Sequence, residues 1–432
     1  MNKFLFSIFF LVIFHCFAGW EKVEGLNKDA WIKSVHFTDS LNGWIGGMIY
    51  TPPKIIGYLA SSTDGGLTWR ERVTDFQIHS INGVYFQSRD TGWTIGSYPE
   101  KGILIKTTDC GTTWKSLFED SSFYGIQSFV FTKSKTCYLS FNGQYLIAKS
   151  TDYGETWNLL PSDLRYCDMH FLNEDTGWIA GGFGGATEGM ISKTEDGGKT
   201  WDQKMPRDIN YTRLPVLYTI FFIDKNNGWV GGDSCTIAAT HDGGDNWHIQ
   251  HKSQISDEDG ISKMHFFNKS VGWAISYHGN VYYTIDGGEH WTVNNLGSNI
   301  QLSSIYFSDP RHGWIVGVDG TLFRTTDNGG HPLAVQQISR KIKSERLSME
   351  TIAAAPGNSI GLKYTIDFSG RTSLSLYDFS GKKVAATVNK WQDKGSHRIF
   401  FNTPPGAYLV RLSVQRGNEA NCLSKKIVWA GN

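Results

Sequence analysis

One eight-residue motif returns along this chain at a nearly constant interval, and that periodicity limits the folds available to it more than any other feature. Ser62-Thr63-Asp64-Gly65-Gly66-Leu67-Thr68-Trp69 recurs as Thr107 to Trp114, Ser150 to Trp157, Thr194 to Trp201, Thr240 to Trp247 and Thr284 to Trp291. A seventh copy, Thr325-Thr326-Asp327-Asn328-Gly329-Gly330, runs into His331-Pro332 and lacks the Trp. The central aspartates Asp64, Asp109, Asp152, Asp196, Asp242, Asp286 and Asp327 are 45, 43, 44, 46, 44 and 41 residues apart. Upstream of each box lies a second motif: Gly43-Trp44, Gly92-Trp93, Gly177-Trp178, Gly228-Trp229, Gly272-Trp273 and Gly313-Trp314, with Cys137-Tyr138 in the third repeat. Short strand-like runs such as Ser34-Val35-His36-Phe37 and Ile305-Tyr306-Phe307 precede these pairs. Each repeat therefore reads as four short strands with turns between them, which is one propeller blade, and seven such blades close into a ring. The 48 glycines among 432 residues and the 14% aromatic content fit a chain of tight turns and aromatic strands rather than helices.

The recurring aspartate has a structural task. A carboxylate at that position accepts backbone N–H groups of its own turn, the glycines take positive φ, and the Trp packs between sheets. Because every blade needs the same turn, the seven aspartates are read as scaffold and not as catalytic carboxylates. This accounts for twelve of the sixteen tryptophans. The missing Trp of the seventh box is matched by Gly19-Trp20-Glu21-Lys22-Val23, which looks like the outer strand that follows each other box. The N-terminus is expected to supply the last strand of the seventh blade and so to remove an open sheet edge.

Residues 1–18 read as a signal peptide, with Lys3 as a minimal positive region, an apolar run from Phe4 to Phe14 and the small residues Ala18 and Gly19 at the cleavage point. No later stretch reaches transmembrane length. The 41 basic and 41 acidic residues balance, so no electrostatic footprint for nucleic acid is present. After the leader, Cys110, Cys137, Cys167, Cys235 and Cys422 remain, an odd number without a CxxC pair, and the histidines include no HExxH. No metal or cofactor is expected, and Gly181-Gly182-Phe183-Gly184-Gly185 lacks the Lys and the strand-to-helix context of a phosphate loop.

The boxes resemble the Asp-box repeats of sialidases, xyloglucanases and sortilin-type receptors. The combined Gly-Trp and Asp-box repeat is similar to the photosystem II stability and assembly factor family of seven-bladed propellers, over about residues 20 to 330. That resemblance implies an arginine-rich surface, whereas the box-flanking positions here are Ser61, Lys106, Lys149, Lys193, Ala239, Tyr283 and Arg324. Residues 336–350 read as a polar, basic linker. In residues 351–432 the segments Gly361 to Ile366, Leu374 to Asp378, His397 to Phe401 and Ala407 to Leu412 alternate apolar and polar residues, as in a small Ig-like β-sandwich. The order of Leu376-Tyr377-Asp378, Gly381 to Val384, Gly395-Ser396-His397, Gly406 to Leu412 and Lys426-Ile427-Val428 resembles the type A C-terminal sorting domain of type IX secretion. The resemblance implies export through the periplasm to the cell surface or medium, with the secretion machinery and its sortase as partners.

The expected architecture is thus all-β: a leader over 1–18, a seven-bladed propeller over 19–335, a linker over 336–350 and a sorting sandwich over 351–432. The expected function is non-catalytic binding of a protein or glycan; the alternative is a glycoside hydrolase of the sialidase or xyloglucanase type. Against the alternative, Arg213-Leu214-Pro215 resembles the Arg-Ile-Pro element of sialidases but falls between the fourth and fifth boxes. The acidic Asp257, Glu258 and Asp259 read as a solvated loop. No catalytic residue is assigned. The boxes join the third and fourth strands of each blade, so the loops between second and third strands and between blades share the opposite face. The irregular loops there, Met48 to Tyr58, Ser97 to Gly102, Phe183 to Gly189, Arg207 to Leu214, Gln254 to Gly260 and Tyr277-His278, present Tyr50, Tyr98, Lys101, Glu188, Tyr211, Arg213, Tyr277 and His278 as candidate ligand contacts.

Overall fold

A computed structural model describes residues 16–17, 19–72, 74, 76–98, 101–132, 134–141, 146–162, 165–182, 188–204, 214–253, 259–297, 300–329, 347–352, 359–366, 369–377, 383–402, 406–416 and 419–429. The chain divides into two compact units, Met1–Val335 and Gln336–Asn432. All regular structure among the described residues is β-strand.

The first unit is a ring of seven antiparallel sheets, six of them formed by strands consecutive in sequence and the seventh by strands from both ends of the unit. The innermost strands are Ala30–Phe37, Ser80–Phe86, Ile126–Phe131, Arg165–Phe171, Leu217–Phe222, Ile261–Phe266 and Leu302–Phe307. Each ends in a Phe, and that Phe organises the packing. The ring of the Gly-Trp residue in one blade lies flat on the terminal Phe of the next: Trp44 on Phe86, Trp178 on Phe222, Trp229 on Phe266, Trp273 on Phe307 and Trp314 on Phe37, with centroids 3.4–4.1 Å apart. Tyr138 takes the same place on Phe171, at 3.7 Å. The preceding glycine leaves room for this Phe: a Cβ on Gly43, Gly92, Gly177, Gly228, Gly272 or Gly313 would stand 2.3–2.5 Å from the ring of its own blade. In the third blade Cys137 replaces that glycine, and there Phe131 meets Trp93 at 42° instead of in a parallel stack.

The Asp boxes lock onto the same interface. In the first box Asp64 accepts the Thr68 N–H at 3.0 Å and the Ser62 hydroxyl at 2.8 Å, and the Ser62 oxygen in turn accepts the Gly66 N–H at 2.9 Å. The indole of the preceding blade then donates to a box carbonyl: Trp314 to Gly65, Trp178 to Gly243 and Trp229 to Gly287, each at 2.9 Å, and Trp93 to Tyr153 at 3.1 Å. Tyr138 keeps the donor through its hydroxyl, at 2.7 Å from the Glu174 carbonyl and 3.4 Å from that of Gly197. The box Trp meets the Phe of its own blade edge-on, as in Phe37–Trp69 at 5.9 Å and Phe222–Trp247 at 6.2 Å.

The seventh blade is completed by the N-terminus. Trp20–Lys22 pairs antiparallel with Leu322–Thr325, Glu21 opposite Arg324, and Cys16–Phe17 adds a short strand outside it. Trp20 is fully buried and meets Phe307 edge-on at 5.8 Å, the position of the box Trp that this blade lacks. The Arg324 guanidinium donates to the Glu21 carboxylate at 2.9 Å and fixes the register.

One expected loop is regular structure. Met48 to Tyr58 belongs to the strands Gly43–Thr51 and Lys54–Ser62, paired as far as Thr51 opposite Lys54. Its cross-strand pairs Ile49–Ile56 and Tyr50–Ile55 continue the hairpin that its Pro52-Pro53 turn obscured.

The second unit has two antiparallel sheets. Leu347–Ile352, Ser359–Ile366 and Gly395–Asn402 form one; Lys383–Gln392, Gly370–Tyr377, Gly406–Arg416 and Glu419–Trp429 form the other. Alternate residues of both, Leu362, Tyr364, Ile366 and Phe401 with Leu374, Leu376, Val410, Leu412 and Val414, make one buried cluster. Leu347 to Glu350, read as the end of a linker, are paired to Ile366 through Lys363 in the first sheet.

Truncating Trp20 to Ala should cost about 3–5 kcal/mol, the usual range for a buried Trp. Urea denaturation checks this; an unchanged midpoint would mean that the N-terminal strand does not hold the seventh blade.

Candidate functional site: the mouth of the central channel

All seven innermost strands begin on the same rim of the ring, because in each of the first six blades the innermost strand is followed by three antiparallel neighbours and a crossover back to that rim, and the N-terminal strand supplies the outer position of the seventh. The second-to-third-strand loops open on this rim, and the Asp boxes lie on the other. Near its start each innermost strand carries a bulge, between Ile32 and Ser34, Ile81 and Gly83, Ile126 and Ser128, Arg165 and Asp168, Leu217 and Thr219, Ile261 and Lys263, and Leu302 and Ser304. A bulge re-aims side chains out of strict alternation. Here it brings adjacent positions, such as Ser262 with Lys263 and Ser303 with Ser304, to the lining of one central cavity of about 620 Å³.

The cavity floor is aromatic. The residue before each terminal Phe points into the lumen: His36 lies 5.0 Å from Tyr85 and 4.7 Å from Tyr306, Tyr306 lies 5.6 Å from His265, His265 lies 5.7 Å from Phe221, and Phe221 lies 4.8 Å from His170. Burial, reinforced by the charge of His265, lowers His36 to about 3. Burial likewise lowers His170 and His265 to about 4. The imidazoles are neutral at physiological pH, and the Phe86 N–H donating to His36 Nδ1 at 3.3 Å leaves the proton on Nε2.

Above the floor lies a polar layer. Lys263 Nζ donates to both oxygens of Asp168, at 3.0 and 2.9 Å, and the Ser128 hydroxyl and Ile220 N–H support the same carboxylate at 3.4 and 3.3 Å. Across the lumen Lys33 Nζ donates to Ser80 Oγ at 2.9 Å and Asn82 Oδ1 at 3.3 Å and sits 4.7 Å from the Trp31 ring centroid. Trp31 is held in turn by Ser303, which accepts its indole N–H at 2.9 Å. Tyr218 and Tyr277 complete the mouth, their rings 5.7 Å apart edge to face, with the Tyr218 hydroxyl donating to Asp233. Burial raises both phenols.

Of the eight candidate contacts, Tyr277 lines the cavity. His278 is beside it, oriented by Asp259, which accepts the His278 N–H at 3.1 Å, the Gly260 N–H at 2.9 Å and the Asn280 amide at 3.1 Å. Asp259 is buried as the keystone of that turn rather than part of a solvated loop. Tyr98 and Lys101 face each other across a hairpin, the ammonium 5.0 Å from the ring and paired with Glu119. Tyr50 is 57% exposed on the first-blade hairpin, and Glu188 is half-buried before the strand Met190–Thr194. These five share the rim without lining the cavity. Tyr211 and Arg213, with Asp257 and Glu258, lie outside the described residues. Sequence reasoning missed Trp31, Lys33, Asp168, Tyr218 and Lys263, because it searched loops. For Lys33, Asp168, Tyr218 and Lys263 the available signal was a charged or bulky residue three or four places before the terminal Phe, where most of the other strands carry a small or neutral polar residue.

Among the described residues no group of His, Cys, Asp and Glu is arranged to hold a metal ion. Cys137 and Cys235 are buried free thiols that burial pushes to about 12, and Cys110 is a free, half-buried thiol on a box turn.

Fold and channel together define an Asp-box seven-bladed β-propeller with a lined mouth to its central channel. The model of the family described as photosynthesis system II assembly factor YCF48 matches residues 15–158 and 206–302, more than half of the sequence, and the chain belongs to that family. A solved structure titled "YCF48 bound to D1 peptide" is 22% identical, covers 71% of this chain and 97% of its own, and superposes with a TM-score of 0.56. YCF48 from Cyanidioschyzon merolae is 18% identical over 71% of this chain and 98% of its own, with a TM-score of 0.52. The WD40 propeller domain of Doa1 reaches a TM-score of 0.54 at 11% identity, covering 71% of this chain and 97% of its own, which marks the shared fold alone. No curated protein matches the chain.

Acid should destabilise the propeller in two stages. A histidine whose folded pKa is depressed leaves the unfolded state binding more protons below about pH 6.5, so His36, His170 and His265 together should remove stability with a slope of up to about 4 kcal/mol per pH unit down to about pH 4. The box carboxylates Asp109, Asp152 and Asp196, held at about 2 by hydrogen bonds from their own turns, add a second loss between about pH 4 and pH 2. Denaturation midpoints from pH 7 to pH 3 test this, and replacing His36 with Phe should flatten the first stage.

Proposed function

We propose that this chain is a non-catalytic binding propeller whose channel mouth takes a polypeptide segment. The observation that carries this reading is the lining itself: aromatic faces from Trp31, Tyr218 and Tyr277 stand beside fixed polar groups in a cavity of about 620 Å³, a size and character suited to ligand side chains. A family relative solved with a peptide supports a polypeptide over a glycan. Glycoside hydrolysis uses two carboxyl groups flanking one bond. The described lining offers one, Asp168, and Lys263 occupies both of its oxygens. Tyr50, Tyr98, Lys101, Glu188 and His278 are proposed as an outer ring of contacts on the same face.

Export is the second part of the proposal. Residues 1–18 act as a leader, and the C-terminal unit acts as an Ig-like sorting sandwich of type A that engages the type IX machinery and its sortase and delivers the propeller to the cell surface or medium. The supporting features are the motif order from Leu376 to Val428 and the alternation of its buried cluster.

Peptide display against the full chain should select binders that Trp31→Ala combined with Tyr277→Ala weakens at least tenfold with no change in melting temperature, while Asp152→Ala lowers melting and spares affinity. The reverse pattern would assign the working face to the Asp-box side. Deleting residues 351–432 should leave a folded propeller in the periplasm; normal amounts at the surface would defeat the export reading.

A further inference from the structure

The polar layer of the channel is unbalanced in charge. Lys263 and Asp168 neutralise each other at 2.9 Å on one wall. Lys33, on the innermost strand of the first blade, has two neutral acceptors, Ser80 and Asn82, and among the described residues its ion pair with a carboxylate is lacking. An ammonium has three donors, and two are spent. The group is drawn into the cavity wall rather than extended to water, and burial lowers its pKa. A desolvated cation without a counter-charge is costly to keep unless something supplies one. The surroundings indicate what that is. The Trp31 ring walls the ammonium on one side, Ser303 and Gln127 line the same lumen, and the other lysine of the lining, Lys263, is already paired with Asp168 and offers no second free positive charge.

We propose that the channel mouth is a monoanion site in which Lys33 receives a carboxylate, with Trp31 packing against the group that bears it. The pocket holds one unmatched positive charge and no guanidinium among its described lining, so it suits a carboxylate better than a doubly charged phosphate. The carboxylate arrives as the C-terminus of a bound segment, as an acidic side chain within one, or on a free small acid. This deepens the binding reading given above and rests on it for the two peptide sources.

Ligand-observed NMR with the full chain tests the site directly, using N-acetylglycine, N-acetylglycinamide and methyl phosphate as probes. N-acetylglycine should bind at millimolar concentration, and the amide and methyl phosphate about tenfold more weakly. Lys33→Met should abolish the preference for the acid while melting at or above the wild-type temperature, since an apolar chain of similar length replaces a buried charge. Asp168→Asn should free Lys263 and raise methyl phosphate affinity severalfold, a gain that a misfolded variant would not give. Equal binding of acid and amide, or an acid preference that survives Lys33→Met, overturns the proposal. With selected peptides, amidating the C-terminus and changing internal Glu to Gln separate the two peptide sources. A peptide that depends on Trp31 and Tyr277 but not on Lys33 would leave the binding reading standing and remove this one. N-acetylglycine held by Lys33 in a chain that takes no peptide would do the opposite.

Discussion

The stack of a Gly-Trp indole on the terminal Phe of the next blade is the contact on which the rest of the propeller depends. It uses a glycine in six of the seven blades so that the Phe ring can lie over its own strand, and an aromatic on the neighbouring blade; at Trp93, Trp178, Trp229 and Trp314 an Asp-box carbonyl also receives the indole N–H. Each stack is worth about 0.5–1.5 kcal/mol beyond its buried area. Over the six parallel stacks of the ring that is about 3–9 kcal/mol, comparable with the whole net stability of a domain. No blade buries its Trp alone, so the ring is stable only when closed. For this reason Trp20, almost three hundred residues from Phe307, stands in for the box Trp that the seventh blade lacks.

Concentrating stability at the interfaces leaves the lumen free to vary. The terminal Phe, the glycine and the box are nearly invariant from blade to blade, while the bulge positions hold Lys33, Asn82, Gln127, Tyr218, Ser262 and Ser303. The three histidines of the floor show the same division of labour. They seal the channel as neutral rings against Tyr85, Phe221 and Tyr306, and the polar layer begins above them. A rigid frame with a few variable lumen-facing positions per strand is a common way to put different ligands on one fold.

The sequence alone determined the blade count, the strand order and the role of Asp64 and its six counterparts, since a period of about 44 residues with fixed turn chemistry admits few other folds. Even the closure by Trp20 was legible, as a missing residue at one end and an orphan at the other. The first-blade hairpin was misread because Pro52-Pro53 signals a loop while its flanks pair as far as Thr51 and Lys54. The channel site was legible only at Tyr277. Lys33 is 135 residues from Asp168 and 230 from Lys263, and local pattern carries no information on which of these lysines has a carboxylate. Tertiary structure alone decided that, because the pairing depends on distances across a lumen which exists only once seven packed blade interfaces have closed the ring.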